Sequence, residues 1–137
     1  MKQRHIIIMA IIQQEFQHNE WQMLVGCIML NQTHNRQVRR VIYDFFEAYP
    51  TPESITEDAI PDIVEHLRPL GFYNRRANTI FRFSQEYINK EFNHVSELYG
   101  IGKYASDSYE IFINDNTDVQ PTDKILRAYL RGEFIDQ

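Results

Sequence analysis

Residues 98–109 read "LYGIGKYASDSY", and the fold turns on how this stretch is read. Two glycines flank one isoleucine, and a segment with helical spacing follows. Glycine permits the tight, positive-φ turn that joins two short helices. The exposed amides of such a turn, with the free N–H groups opening the second helix, form an anion site. Ile101 is spaced to tuck inward and brace the two arms, and Lys103 adds a charge beside the turn. A simpler alternative is a glycine helix stop with a second glycine by chance.

Outward from the hairpin, helical spacing dominates and alternating strand patterns are scarce. Helices are predicted over 5–16, 20–31, 35–48, 61–68, 74–89, 103–114 and 123–131, with shorter ones near 52–58 and 94–99. Ile8, Ile11, Ile12 and Phe16 make the inner face of the first helix. Asn19 is placed to cap the second, whose centre "MLVGCIML" is apolar all round and belongs in the middle of the fold. The third turns Val38, Val41, Ile42, Phe45, Phe46 and Tyr49 to one side and Arg36, Arg39 and Arg40 to the other. "YPTPES" breaks that helix by proline. Over 74–89 the expected inner face is Ala77, Ile80, Phe81, Ser84 and Ile88. Gly71 and Gly132 are placed to stop the helices before them. The expectation is one all-α domain over residues 1–137, built of about eight or nine short helices.

The composition fits that expectation. Of 137 residues, 43% are apolar and 13% aromatic, enough to bury a core and to exclude disorder. The opening "MKQRHIIIMAIIQQEF" imitates a secretion signal. Its apolar run is short and lacks a small-residue cleavage site, so a buried helix is expected there. No stretch is long enough to span a bilayer, so no membrane partner is expected. The single cysteine, Cys27, excludes an intrachain disulfide and an iron–sulfur cluster. It reads as a small buried hydrophobe in a protein of a reducing, intracellular compartment. The net charge of −5 argues against nucleic-acid binding, because phosphate contacts want lysine and arginine. Yet the acids crowd into 53–65 while bases gather at 36–40, at 75–76 and from Lys103 to Arg131, which leaves room for a local basic face.

A second chemistry-bearing stretch is "VQPTDKILRAYL", residues 119–130, with Asp123 at the mouth of a helix after a proline loop. Thr122 or Asp123 can simply cap that helix. The same geometry also suits a carboxylate that faces a sugar C1′ carbon and stabilises an oxocarbenium-like state or orients a water.

Taken together, a glycine hairpin over about 94–114 and an aspartate loop over about 115–123 resemble the helix–hairpin–helix DNA glycosylase superfamily. "WQMLVGCIMLNQT", "LRPLGFYNRRANTI", "FSQEYI" and "ELYGIGKYASDSYEIF" are similar to the thymine glycosylase domain of the methyl-CpG-binding glycosylases and to archaeal mismatch thymine glycosylases. The likeness runs from about Ile11 to Leu130. It implies a DNA-binding cleft between two helical lobes. It also implies roles. Asp123 matches the catalytic aspartate. Gly100 and Gly102, with Lys103 beside them, match the phosphate grip. Tyr104 falls where strand-cleaving relatives carry a Schiff-base lysine. A phenol forms no imine. Lys103 points about 100° away around the helix and cannot replace the missing amine. A glycosylase without lyase activity is therefore expected, with Tyr104 at the flipped base. Gln13 matches the base-reading glutamine, whose amide donor and acceptor suit the imide edge of thymine or uracil. Gln32 lies at the intercalating wedge, where the similar family has arginine, and Phe72 at an apolar plug. Thr122 and Lys124 replace the family's acidic and histidine neighbours of the aspartate.

The implied activity is removal of thymine or uracil opposite guanine in base excision repair, by a monomer acting on double-stranded DNA. No cofactor or metal is expected in the chemistry, and a structural monovalent cation is expected at the hairpin carbonyls. Two alternatives stand beside this. One is a DNA-gripping hairpin module without catalysis; the other is a glycosylase for a different damaged or mispaired base.

Overall fold

The computed structural model describes residues 11–133. These form seven α-helices joined by loops and single 3-10 turns, with no strand among the described residues. The all-α expectation holds.

Helix α2 (Glu20–Leu30) is the axis of the core. From Trp21 to Leu30 every residue but Gln22 is buried, as its uniformly apolar sequence requires. Asn19 caps it, its Oδ1 accepting the Gln22 N–H at 3.0 Å. Helix α3 (Asn35–Ala48) buries Val38, Val41, Ile42, Phe45 and Phe46 against α2. Gly26 lies where α2 meets its neighbours. A Cβ there would come within 3.0 Å of Ile12 Cγ2 and 3.4 Å of Ile42 Cδ1.

Helix α4 (Ile60–Leu67) follows two 3-10 turns in the proline-rich connection and packs its Ile63, Val64 and Leu67 face into the core. Gly71, at φ +76°, ends this segment. Helix α5 (Tyr73–Asn89) then runs beside α2, and Trp21 Nε1 donates to Ser84 Oγ at 3.0 Å between them. Its inner row is Ala77, Ile80, Phe83 and Ser84, not the expected row through Phe81 and Ile88. Phe81 is half-buried and Ile88 is 39% exposed. At 3.6 residues per turn the row drifts to take in Phe83, and Ile88 is carried off the face.

Two short segments differ most from expectation. Residues 5–10 and Ile8 lie outside the described residues. Within them the first helix, α1, is a single turn, Ile12–Glu15. One turn is not stable alone, and α3 holds it. Asn35 Oδ1 accepts the Ile12 N–H at 2.7 Å, and Glu15 takes both Arg39 and Tyr43. The leading arm of the hairpin is only a 3-10 turn, Val95–Glu97, where a helix over 94–99 was expected. Helix α6 (Lys103–Phe112) forms the second arm, and α7 (Lys124–Leu130) closes on Gly132 at φ +72°.

Candidate active site

The hairpin is built from Leu98 to Gly102. Ile101 is buried, and its N–H bonds to Leu98 O at 3.2 Å, closing the turn. The two glycines serve different needs. Gly100 adopts φ +83°, and a Cβ on it would sit 2.7 Å from Thr79 Cγ2 on α5. Glycine is thus required there by backbone and by space. Gly102 has an extended backbone at φ −95°, so it does not share the positive φ expected of the pair. A Cβ on it would meet nothing within 4 Å. It is the N-cap of α6 and offers no side chain to the first-turn amides, and residues 102–105 line a cavity.

Lys103 does not point freely beside this turn. Its Nζ lies 2.8 Å from Asp107 Oδ2 and 3.2 Å from Gln120 O, tying α6 to the loop that leads to Asp123. Among the described residues no three His, Cys, Asp or Glu side chains cluster to hold a metal.

Asp123 is the N-cap of α7, its Oδ2 accepting the Leu126 N–H at 2.9 Å. It also lines a cavity of about 300 Å³ with Asn31, Gln32, Tyr104 and Thr122. A second cavity of about 370 Å³ adjoins it and is lined by Gln32, Phe72, Gly100, Gly102, Lys103 and Tyr104 among others. Asn31, Gln32 and Tyr104 are common to both. Seven of the eight residues singled out from the sequence therefore line one or other of these two neighbouring cavities.

Gln13 is the eighth and lines neither cavity. It is 1% exposed and lies behind Tyr104, its Nε2 2.6 Å from the Tyr104 hydroxyl and 3.2 Å from Ser108 Oγ. Its Oε1 is buried with no partner. Burial above all, then the nearby Cys27 and Asp123, pushes the Tyr104 phenol up, so it stays protonated at any physiological pH. Cys27 sits in the wall of the larger cavity, and burial pushes its thiol up to about 12, as befits a small hydrophobe.

Gln32 and Phe72 both have left-handed backbones, at φ 63° and 46°. Phe72 is 52% exposed, with the guanidinium carbons of Arg75 and Arg76 at 4.8 and 5.5 Å from its ring centre. Three participants escaped sequence reading. Ser108 sits one turn after Tyr104, so helical spacing could have found it. Asn35 and Arg76 give no such signal; both are buried polar side chains bonded to backbone. Arg76, grouped by sequence with the exposed bases, is 5% exposed.

A glycine hairpin whose second arm opens on bare amides, facing a helix-capping aspartate across a tyrosine, defines a class. Residues 25–131 match the HhH-GPD superfamily of base excision DNA repair proteins, and the chain belongs to that family. Among curated relatives, it is 39% identical over 120 residues to the methyl-CpG-binding domain protein 4-like protein of Arabidopsis thaliana, covering 87% of this chain and 27% of that one. It is 30% identical over 95 residues to the thymine-DNA glycosylase of Aeropyrum pernix, covering 63% of this chain and 42% of that one. It is 26% identical over 93 residues to the thymine/uracil-DNA glycosylase of Pyrobaculum aerophilum, covering 63% and 40%. The chain thus spans less than half the length of each of these relatives.

Proposed function

We propose that this chain is a monofunctional DNA glycosylase that removes thymine or uracil opposite guanine from duplex DNA, acting as a monomer in the compartment that holds the DNA. The observation that carries the proposal is the pair of adjoining cavities, with Asp123 in one, the open Gly102 amides in the other, and Tyr104 between them.

A phosphate of the target strand binds the amides at Gly102 and the start of α6, which carry the positive end of the helix dipole. The flipped base enters against Tyr104, while Gln32 and Phe72 occupy the space it leaves. The protonated phenol is a donor to a pyrimidine carbonyl, and Gln13, buried behind it, orients that hydroxyl through Nε2. The Asp123 carboxylate faces the sugar and stabilises positive charge building at C1′. The C1′–N1 bonding pair leaves with the base. Water bonds through oxygen to C1′, and its proton passes to the carboxylate. Tyr104 supplies no amine, and Lys103 is bound to Asp107 and Gln120. No imine forms, and the strand stays intact.

The test is excision from G·T and G·U duplexes with and without alkali. Product should appear only after alkali, and borohydride should trap no covalent complex. Equal activity of wild type and Asp123→Asn would sink the assignment. The capping bond to Leu126 favours a second reading, because a structural task alone accounts for Asp123. A DNA-gripping module without catalysis would bind duplex yet yield no abasic site on any mismatch or lesion.

A further inference from the structure

Arg76 leaves the first turn of α5 and turns inward. Its Nη1 donates to Leu70 O at 3.1 Å and to Gly71 O, and its Nη2 donates to Asn31 O. Asn31 immediately precedes Gln32, and Gly71 immediately precedes Phe72. One planar guanidinium thus grips the carbonyls just before both left-handed residues. Left-handed backbone at a non-glycine residue persists only where the surroundings over-determine it. Neither Asn31 O nor Gly71 O accepts a backbone N–H among the described residues, so this fork is what satisfies them. The fork is also costly to keep. Its Nε is buried with no partner, and burial lowers the arginine's pKa.

We infer that Arg76 is a positioning residue that locks the Asn31–Gln32 loop to the Gly71–Phe72 turn, so that Gln32 and Phe72 enter DNA as one two-pronged unit at fixed separation. Lysine cannot replace it, because a single ammonium lacks the rigid fork that spans both loops. The DNA part of this inference rests on the proposed glycosylase reading; the mechanical coupling does not.

Two measurements separate them. The first is amide hydrogen exchange on DNA-free protein. In Arg76→Lys, exchange at 31–34 and 70–73 should rise together, about tenfold or more, while α2 amides stay unchanged. Gly71→Ala strains only the plug turn, because its φ is +76° and nothing lies within 4 Å of the added Cβ. It should nonetheless speed exchange at 31–34. Exchange that rises in one loop alone, in either variant, overturns the coupling, and Gly71→Ala decides the matter should Arg76→Lys fail to fold.

The second measurement compares excision of uracil from a G·U pair with excision from a single-nucleotide bulge, where there is no pair to break. Arg76→Lys should slow the first about tenfold or more and leave the second within about twofold. Equal loss on both overturns the positioning role. Should wild type excise nothing from any duplex, the glycosylase reading falls, and the exchange result alone decides the coupling.

Discussion

Asp123 serves the helix and the cavity with one carboxylate, and substitutions can divide the two tasks. Asparagine caps a helix about as well as aspartate, so Asp123→Asn should leave the melting temperature nearly unchanged while abolishing base excision. Asp123→Ala should abolish excision and also cost about 1 kcal/mol of stability through the lost bond to Leu126. Urea unfolding beside a single-turnover assay reads both. Cys27 gives a second test at this scale. Its thiol rises from 9.0 to about 12 on folding, so the unfolded chain releases that proton first. Stability should be untouched by this group below pH 9, fall as pH climbs, and level off past about 12. Cys27→Ala should lessen that alkaline slope by one group's share, the raised tyrosines keeping the rest. In native protein at pH 8 a thiol reagent should label Cys27 only at the rate of opening. Residues tied to a local pattern were legible in the sequence: Asp123, Gly100, Ile101 and the Asn19 cap. Gln13 is named through the family likeness alone and Arg76 only as one base in a cluster, because a polar side chain announces its burial only through partners distant in the chain.

The glycine hairpin makes predictions for an element. Gly100→Ala adds both a left-handed strain and a 2.7 Å contact with Thr79 Cγ2, and should cost about 2–3 kcal/mol. Thr79→Ser removes that methyl and should recover part of the loss in the double variant, leaving about 1–2 kcal/mol for the backbone. Gly102→Ala should leave stability within about 0.5 kcal/mol, because its backbone is ordinary and its surroundings open. DNA affinity should nevertheless fall, since the new methyl stands where a phosphate would approach. Stability curves and duplex titrations of the same three proteins check this. Among the elements, α2 and α3 followed directly from uniform apolarity and from 3.6-residue spacing. The α5 face did not, because a long helix lets its inner row drift. Neither did α1 and the Val95–Glu97 turn, since segments of one turn are held by contacts rather than by their own periodicity.

At the scale of the molecule, the proposed function has a chain of net charge −5 hold DNA through a few amides and local cations. Duplex affinity should therefore drop steeply with salt, by a factor on the order of tens to a hundred between about 50 and 200 mM, as counterion release by a few phosphates requires. Fluorescence anisotropy across that range measures the slope; a flat response would mean the grip is not electrostatic. Composition alone cannot decide this aspect, because net charge averages over a surface whose fields are local. The helix pair α2 and α5 carries one further consequence. Its loop ends are joined by Arg76, and its far ends by Trp21 on Ser84. Trp21 is the chain's single indole, 2% exposed and about 15 Å along the α2 axis from Asn31. A pair fastened at both ends moves as one piece, so the protein contains a spectator fluorophore. Its emission should register unfolding and stay silent when DNA is engaged.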